Sequence, residues 1–361
     1  MENAHCKVCA SRSRLISKEL SVCLQCIRDR PERAINISSQ THDHVRRTFG
    51  LPEIPPQDIG GIRCGLCARM CIIGEGRSGF CGLRRTDNDR LRHLAGTPSR
   101  GLLHWYRDPL PTNCVADWVC SGHKRYGYHN LAVFYASCTF NCLFCQNWHF
   151  RLAKPELDVQ GSTLAISAQA LAQCANNRTF CVCFFGGDPA SQMPHALAAG
   201  KNLAERNVAV CWETAGTMHP RLLRKAVDLS LMSGGCLKFD LKAFDVNLHQ
   251  VLTGASNERT LENFTYVASR IPEHNDPPLL VASTLLVPGY VDAEEVGKIA
   301  RFIASLDPEI PYSLLGFFPH FYMHDLPTTS SHHASEAKAA ASEAGLRNIH
   351  LGNVQLFSNA Y

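Results

Sequence analysis

Cysteine placement constrains this chain more than any other feature. Of its eighteen cysteines, ten lie before residue 121, in a stretch rich in Arg, Gly and Pro and short of periodic apolar pattern. Such a stretch lacks the material for a large core, so its fold is expected to form around metal. Close-spaced cysteines read as disulfides in an oxidising compartment and as metal ligands in a reducing one. The N-terminal Met1-Glu2-Asn3-Ala4-His5-Cys6 has no apolar segment that would act as a secretory signal. No apolar run approaches the roughly 18–20 residues that cross a bilayer. The expectation is a cytoplasmic metalloprotein with no membrane association. The net charge of +4 is mild, and Lys and Arg are spread along the chain, which leaves no nucleic-acid footprint.

Two four-cysteine sets stand out in the N-terminal third. Cys6-x2-Cys9-x13-Cys23-x2-Cys26 has knuckle-like pairs at zinc-ribbon spacing, within about residues 1–30. Four soft ligands suit tetrahedral zinc over iron, and spare thiols are the bland alternative. Cys64-x2-Cys67-x3-Cys71-x9-Cys81 forms the second set, within about 60–100, with Gly74, Gly76, Gly79 and Gly82 letting the loop curl around a metal. Here zinc and an auxiliary [4Fe–4S] cluster are both open. Cys114 and Cys120 lie in a connector that runs to about residue 130 and would complete or alternate with these ligands.

From residue 131 the texture changes. Strand candidates at Leu131–Ala136, Phe180–Phe185, Val208–Glu213, Cys236–Leu241, Leu279–Val287, Ser313–Phe318 and Ile349–Val354 alternate with helical stretches. The helices are expected at Thr163–Ala175, Met193–Arg206, Pro220–Val227, Leu261–Arg270, Ala293–Ser305 and Ala334–Ala344. This alternation makes the fold α/β with a parallel sheet and right-handed crossovers, either a barrel or a doubly wound sheet. In both, the loops at the carboxyl ends of the strands carry the chemistry. Cys174, Cys181, Cys183, Cys211 and Cys236 fall within strand or helix patterns and read as small core residues.

The most informative stretch follows the first of these strands: Ser137-Cys138-Thr139-Phe140-Asn141-Cys142-Leu143-Phe144-Cys145. Three thiolates at C-x3-C-x2-C can hold three corners of a cubane, where ferredoxins supply a fourth cysteine. The fourth iron is then open to a ligand, as catalytic metal sites require. A zinc knuckle or three buried thiols are the alternatives. The motif, with an aromatic residue before its last cysteine, resembles the signature of the radical S-adenosylmethionine (SAM) superfamily. That resemblance implies a [4Fe–4S] cluster on Cys138, Cys142 and Cys145 that cleaves SAM reductively, and a partial (β/α)6 TIM-type barrel over about 130–355.

Other positions follow in the same order. Phe185-Gly186-Gly187-Asp188-Pro189 resembles the Gly-Gly-Glu-Pro motif whose backbone meets the SAM amino group, with Asp in place of Glu. Glu213-Thr214-Ala215-Gly216 and Lys238-Phe239-Asp240-Leu241-Lys242 resemble segments of the pyruvate formate-lyase activating enzyme. By that likeness Phe144, Gly186, Gly187, Asp188, Thr214, Asp240, Lys242 and His320 would contact SAM, with His324 and His149 as weaker candidates. Period-2 alternation independently places Lys238, Asp240 and Lys242 on one face of a strand. Leu286-Val287-Pro288-Gly289-Tyr290 matches a Val-Pro-Gly turn in the same enzyme, while Cys145-Gln146-Asn147 and Leu326-Pro327-Thr328 are similar to the AmmeMemoRadiSam group. The resemblance implies a protein or peptide substrate, modified by hydrogen abstraction, and an electron donor such as flavodoxin or ferredoxin. A small-molecule radical enzyme and a non-enzymatic iron–sulfur protein are the competing readings.

Overall fold

The computed structural model of the protein describes residues 3–153, 155, 164–274 and 276–361. Met1, Glu2 and Thr163, which fall in stretches assigned above, lie outside the described residues. One nine-stranded sheet organises the molecule. In chain order its strands are β1 (Gly101–Pro109), β2 (His129–Tyr135), β3 (Leu164–Ile166), β4 (Thr179–Phe185), β5 (Ala209–Thr214), β6 (Leu237–Asp240), β7 (Leu280–Leu286), β8 (Tyr312–Gly316) and β9 (Ile349–Gly352). Their spatial order is β9-β8-β7-β6-β5-β4-β2-β1-β3. The run from β2 through β9 is parallel, whereas β1 pairs antiparallel with β2 and β3 antiparallel with β1. The edge strands β9 and β3 do not pair with each other, so the sheet is an open, partial barrel.

Two helices, α1 (Leu24–Asp29) and α2 (Pro31–Thr48), precede the sheet, and others cross between successive parallel strands: α3 (Ala168–Gln173), α4 (Met193–Ala204), α5 (Pro220–Ser233), α6 (Val246–Thr253) with α7 (Glu258–Ala268), α8 (Ala293–Leu306) and α9 (Ser331–Glu343). Strand alternation explains the layering. Val182, Phe184, Val210 and Trp212 are fully buried, and the Phe184 and Trp212 rings lie 4.9 Å apart. Gly200 lets α4 approach closely, since a Cβ there would lie 3.2 Å from Val210 and 3.5 Å from Phe184. The opposite alternates, Cys181, Cys183, Cys211, Cys236 and Lys238, face the interior of the curved sheet.

The main surprises lie upstream. A helix of eighteen residues, Pro31–Thr48, occupies a stretch with no expected element. Its buried face is Ala34, Ser38, His42, Val45 and Arg46, small or polar except for Val45, so the usual apolar periodicity is missing. Strand β1 belongs to the main sheet although its segment read as connector. Nor does the first cysteine set stand apart from the barrel. Cys6, Ile16, Leu20, Val22, Ile27, Ala34 and Val45 belong to the same apolar core as the strands.

Candidate active site

The loop Cys138–Cys145 leaves the carboxyl end of β2 and is pinned from three sides. Asn141 N–H donates to Thr253 O at 2.8 Å and Leu143 N–H to Leu252 O at 3.2 Å, which ties it to the end of α6. Thr139 and Thr217 share a hydroxyl hydrogen bond of 2.7 Å, which ties it to the loop after β5. Asn141 Nδ2 donates to both Nδ1 and the carbonyl of His42 on the long N-terminal helix, at 3.0 and 3.1 Å. A loop fixed this way holds its three thiols without help from regular structure.

Cys138, Cys142 and Cys145 line one cleft of about 200 Å³, together with Phe144, Gly186, Gly187, Thr214, Asp240 and Lys242. Lys242 Nζ is ion-paired with Asp240 Oδ2, and it sits 5.6 Å from the centre of the Phe144 ring. Burial pushes the Cys142 thiol up to about 12, while the Lys242 ammonium pulls the other way. A metal taking the thiolate must displace that proton.

The second-strand motif works through its backbone. Gly186 and Gly187 have φ of +61° and +45°, and a Cβ on Gly187 would lie 2.2 Å from Ser137 O and 2.3 Å from Tyr135 O. Only glycine lets the β4 turn lie against the cysteine loop this closely. Asp188 does not face the cleft. It is 1% exposed, and its Oδ1 accepts from Ala190 N–H at 2.7 Å and from Thr214 Oγ1 at 2.9 Å. Its Oδ2 accepts from Ala215 N–H at 3.0 Å. The carboxylate thus caps the turn after β4 and fastens β5 to it, which positions Thr214. His320 also lies outside the cleft lining; its Nε2 accepts from Trp148 Nε1 at 3.2 Å. His149 stacks on Trp148 at 4.0 Å, and His324 is exposed and bonded to Phe321 O.

Glu213, Asn353 and Phe185 also line the cleft and were not among the expected contacts. Glu213 was recoverable from pattern, because the register places it directly opposite Lys238 on β6. Lys238 is fully buried. Its Nζ lies 2.9 Å from Cys183 Sγ, 3.1 Å from Cys114 Sγ and 3.4 Å from Glu213 Oε2. Burial opposes the ammonium, yet these partners hold its pKa well above the ordinary value. Cys114 and Cys120 therefore do not join the Cys64–Cys81 set. They pack with Cys211, Cys236 and Val281 beneath the cleft, because the connector turns under the sheet, where Trp118 Nε1 donates to Ser313 Oγ at 3.0 Å.

The two N-terminal sets differ in spacing. Cys6, Cys9, Cys23 and Cys26 bring their sulfurs within 4.8 Å of one another, the one such ligand group among the described residues. Cys9 and Cys23 sulfurs are 3.8 Å apart. A tetrahedral zinc with Zn–S of about 2.3 Å needs sulfurs about 3.8 Å apart, so this set fits a single ion. Cys64, Cys67, Cys71 and Cys81 line one small pocket, and no three of their sulfurs lie within 4.8 Å of one another. The Cys138 triplet is likewise more open.

A family model described as the radical SAM superfamily matches residues 132–303, just under half of the chain. The chain is 32% identical over 135 residues to the isethionate sulfite-lyase activating enzyme of Oleidesulfovibrio alaskensis, covering 36% of this chain and 41% of that protein. It is 25% identical over 196 residues to the pyruvate formate-lyase 1-activating enzyme of Escherichia coli, covering 51% and 74%. A match of 24% over 311 residues relates it to an uncharacterized protein of Methanocaldococcus jannaschii, covering 82% of this chain and 83% of the other. The chain spans about two fifths of the length of the first two curated relatives it matches.

Proposed function

The chain carries a radical SAM domain at residues 132–303, and from that premise we propose that it is an activating-type enzyme acting on a protein or peptide. The observation that carries this reading is the convergence of the Cys138–Cys142–Cys145 loop, the Gly186-Gly187 turn and the Asp240–Lys242 pair on one cleft at the carboxyl ends of the parallel strands. The donor set fits the cofactor: three half-buried thiols, spaced too widely for a single ion, line the cleft. Cys138, Cys142 and Cys145 would hold a [4Fe–4S] cluster there, which when bound would supply the electron for reductive cleavage of SAM to methionine and a 5′-deoxyadenosyl radical.

The protein's own residues orient and confine. Cys138, Cys142 and Cys145 would each take one iron of the cluster. Gly186 and Gly187 expose backbone at the cleft wall, with no side chain between it and the ligand. Thr214 is held by Asp188, and its own Oγ1 accepts from Gly216 N–H at 3.0 Å, so that wall is rigid before any ligand binds. The Asp240–Lys242 pair offers one carboxylate and one ammonium to a zwitterionic cosubstrate, a match in charge pattern. Such confinement matters because an unconfined radical reacts with whatever lies nearest.

Two relatives named above are activating enzymes of lyases, which favours a protein substrate. The electron donor is proposed to be a flavodoxin or ferredoxin. Cys6, Cys9, Cys23 and Cys26 are proposed to hold zinc, and the Cys64–Cys81 set a second metal centre. No helix among the described residues is long and apolar enough to cross a membrane.

The test uses anaerobically purified protein reduced with dithionite. The EPR signal of the reduced cluster should change when SAM is added, and 5′-deoxyadenosine should accumulate. Cys142→Ala should abolish both. A cluster indifferent to SAM would overturn the reading.

A further inference from the structure

The second cysteine set is built against the first. Cys67 forms a β-bridge with Met218, in the loop after β5, and Ala68 N–H donates to Thr217 O at 2.8 Å. Ser137, next to the first cluster cysteine, donates from Oγ to Cys81 O at 2.9 Å. Arg69 reaches across: its Nε donates to Thr139 O at 2.6 Å and its Nη1 to Gly254 O at 2.8 Å. Arg69 also lines the pocket formed by Cys64, Cys67, Cys71 and Cys81.

Two features of this pocket call for an occupant. The first is unmatched positive charge. Arg84 is 1% exposed and lines the pocket with all four cysteines, its Nη1 3.8 Å from Cys81 Sγ. Among the described residues, buried Arg84 Nε and Nη2 and Arg69 Nη2 have no hydrogen-bond partner. Burying guanidinium groups with open N–H donors is costly unless an anion compensates them. Four neutral thiols do not. Four thiolates around a metal centre do, with a net charge of about −2 for Zn²⁺ or for an oxidised cubane.

The second feature is spacing, which separates those two candidates. The four Cys6-set sulfurs all lie within 4.8 Å of one another, whereas no three of the Cys64 set do. Four irons and four sulfides hold their cysteine sulfurs much further apart than one ion does. Four thiols gathered around one pocket, yet held this far apart, match the spacing of the larger group.

We propose that Cys64, Cys67, Cys71 and Cys81 hold a second [4Fe–4S] cluster, and that Arg69 and Arg84 are its counter-charges. The proposal deepens the radical SAM reading, on which it rests only for the presence of the first cluster. With four cysteines this cluster is fully ligated, so SAM has no open iron to bind there. The contacts of Cys81 with Ser137 and of Arg69 with Thr139 set the two cysteine sets side by side.

The experiment is metal analysis and EPR on full-length protein, purified anaerobically and reconstituted with iron and sulfide. Wild type should hold about eight irons, four per cubane, and about one zinc. The triple variant Cys138→Ala/Cys142→Ala/Cys145→Ala should keep about four irons and give a reduced-cluster signal unchanged by SAM. Wild type with about four irons and two zincs, its signal still responsive to SAM, would overturn this proposal and leave the radical SAM reading intact. About eight irons in wild type with neither signal moved by SAM would sink the radical SAM reading and support the second cluster. In the triple variant, Arg84→Gln should shift the midpoint potential to a more negative value without changing the iron count, and Arg84→Lys should recover part of that shift. An unmoved potential would remove Arg84 from the proposal. Loss of zinc but not iron in Cys64→Ser/Cys67→Ser would overturn the cluster by a second route.

Discussion

Gly187→Ala tests the local geometry that the cleft depends on. The residue has φ of +45°, and an added Cβ would sit 2.2 Å from Ser137 O, where real contacts are not shorter than 3.0 Å. The Ser137 carbonyl would have to retreat by roughly 0.8 Å, the difference of those two distances. It is not free to do so, because it accepts from Asp188 N–H at 2.8 Å. The left-handed conformation costs an alanine about 1–2 kcal/mol, and overpacking an enclosed site costs about 1–3 kcal/mol more. The expected loss is therefore about 2–5 kcal/mol, measured by urea unfolding of the apoprotein. Strain relieved by moving Ser137 also displaces Cys138, so iron retained on the Cys138 loop should fall as well. Gly186→Ala is the control. Its Cβ would meet the Phe134 ring at 2.3 Å, and a half-buried side chain can rotate where a backbone carbonyl cannot. Equal losses for the two variants, or a Gly187→Ala loss under about 0.5 kcal/mol, would refute the argument.

Asp188→Asn should destabilise by about 1–3 kcal/mol, because one amide N–H₂ must face Ala190 N–H or Ala215 N–H; an unchanged melting temperature would count against its capping role. Asp188→Glu should cost a similar amount, since an extra methylene has no room in a site 1% exposed; thermal melts of the two variants decide it. Burial pulls His42, His195 and His249 down to about 4 from an ordinary 6.5, so all three are neutral in the folded protein at neutral pH. The unfolded chain then binds more protons between those values, and stability, full above about 6.5, is lost as pH falls toward 4. Each histidine adds a slope of up to about 1.4 kcal/mol per pH unit, visible as a falling urea midpoint, and His42→Gln should flatten it. Zinc chelation should expose Asn3–Asp29 to hydrogen exchange while β4–β8 stay protected; unchanged exchange would mean the Cys6 set needs no metal.

The strand–helix alternation was readable because buried parallel strands carry near-continuous apolar runs, and each of the seven expected strands has its counterpart within a few residues. Helix α6 was missed although Asp245 and Gly254 cap it, Asp245 accepting from Asn247 and Leu248 N–H and Gly254 closing it at φ +65°. Its eight residues were too few to show a period. The long N-terminal helix was missed for a different reason: its contacts are polar. His42 Nε2 bonds to Val251 O at 2.9 Å, and Arg46 stacks on Phe80 at 3.4 Å. Period-2 reading put Lys238 and Asp240 on one face but could not say what met them. Asp240 reaches the cleft, while Lys238, one layer deeper, meets Glu213 and two thiols from distant segments. Asp188 shows the limit of motif likeness. The sequence marks the position, but only the hydrogen bonds show that its carboxylate braces Thr214 and does not face the cleft.

The Val-Pro-Gly-Tyr turn after β7 shows how the two N-terminal cysteine sets differ in what they can influence. Gly289 has φ of +76°, and a Cβ there would lie 2.1 Å from Leu15 O, so the glycine is required by the first module's approach. The neighbouring Tyr290 hydroxyl donates to Val22 O and accepts from Ser17 N–H, both at 3.0 Å. Arg28 then pairs with Asp292 at 2.9 Å, at the start of α8. The first module is thus clamped to the turn between β7 and α8, and none of its four cysteines lines the cleft. A metal held there would stiffen the fold without direct access to the cleft. The second set joins the cleft's own loops, through Met218, Thr217 and Ser137. Arg69 lines the Cys64 pocket and donates to Thr139 O in the Cys138 loop, so a change of charge in that pocket reaches the cleft through one side chain.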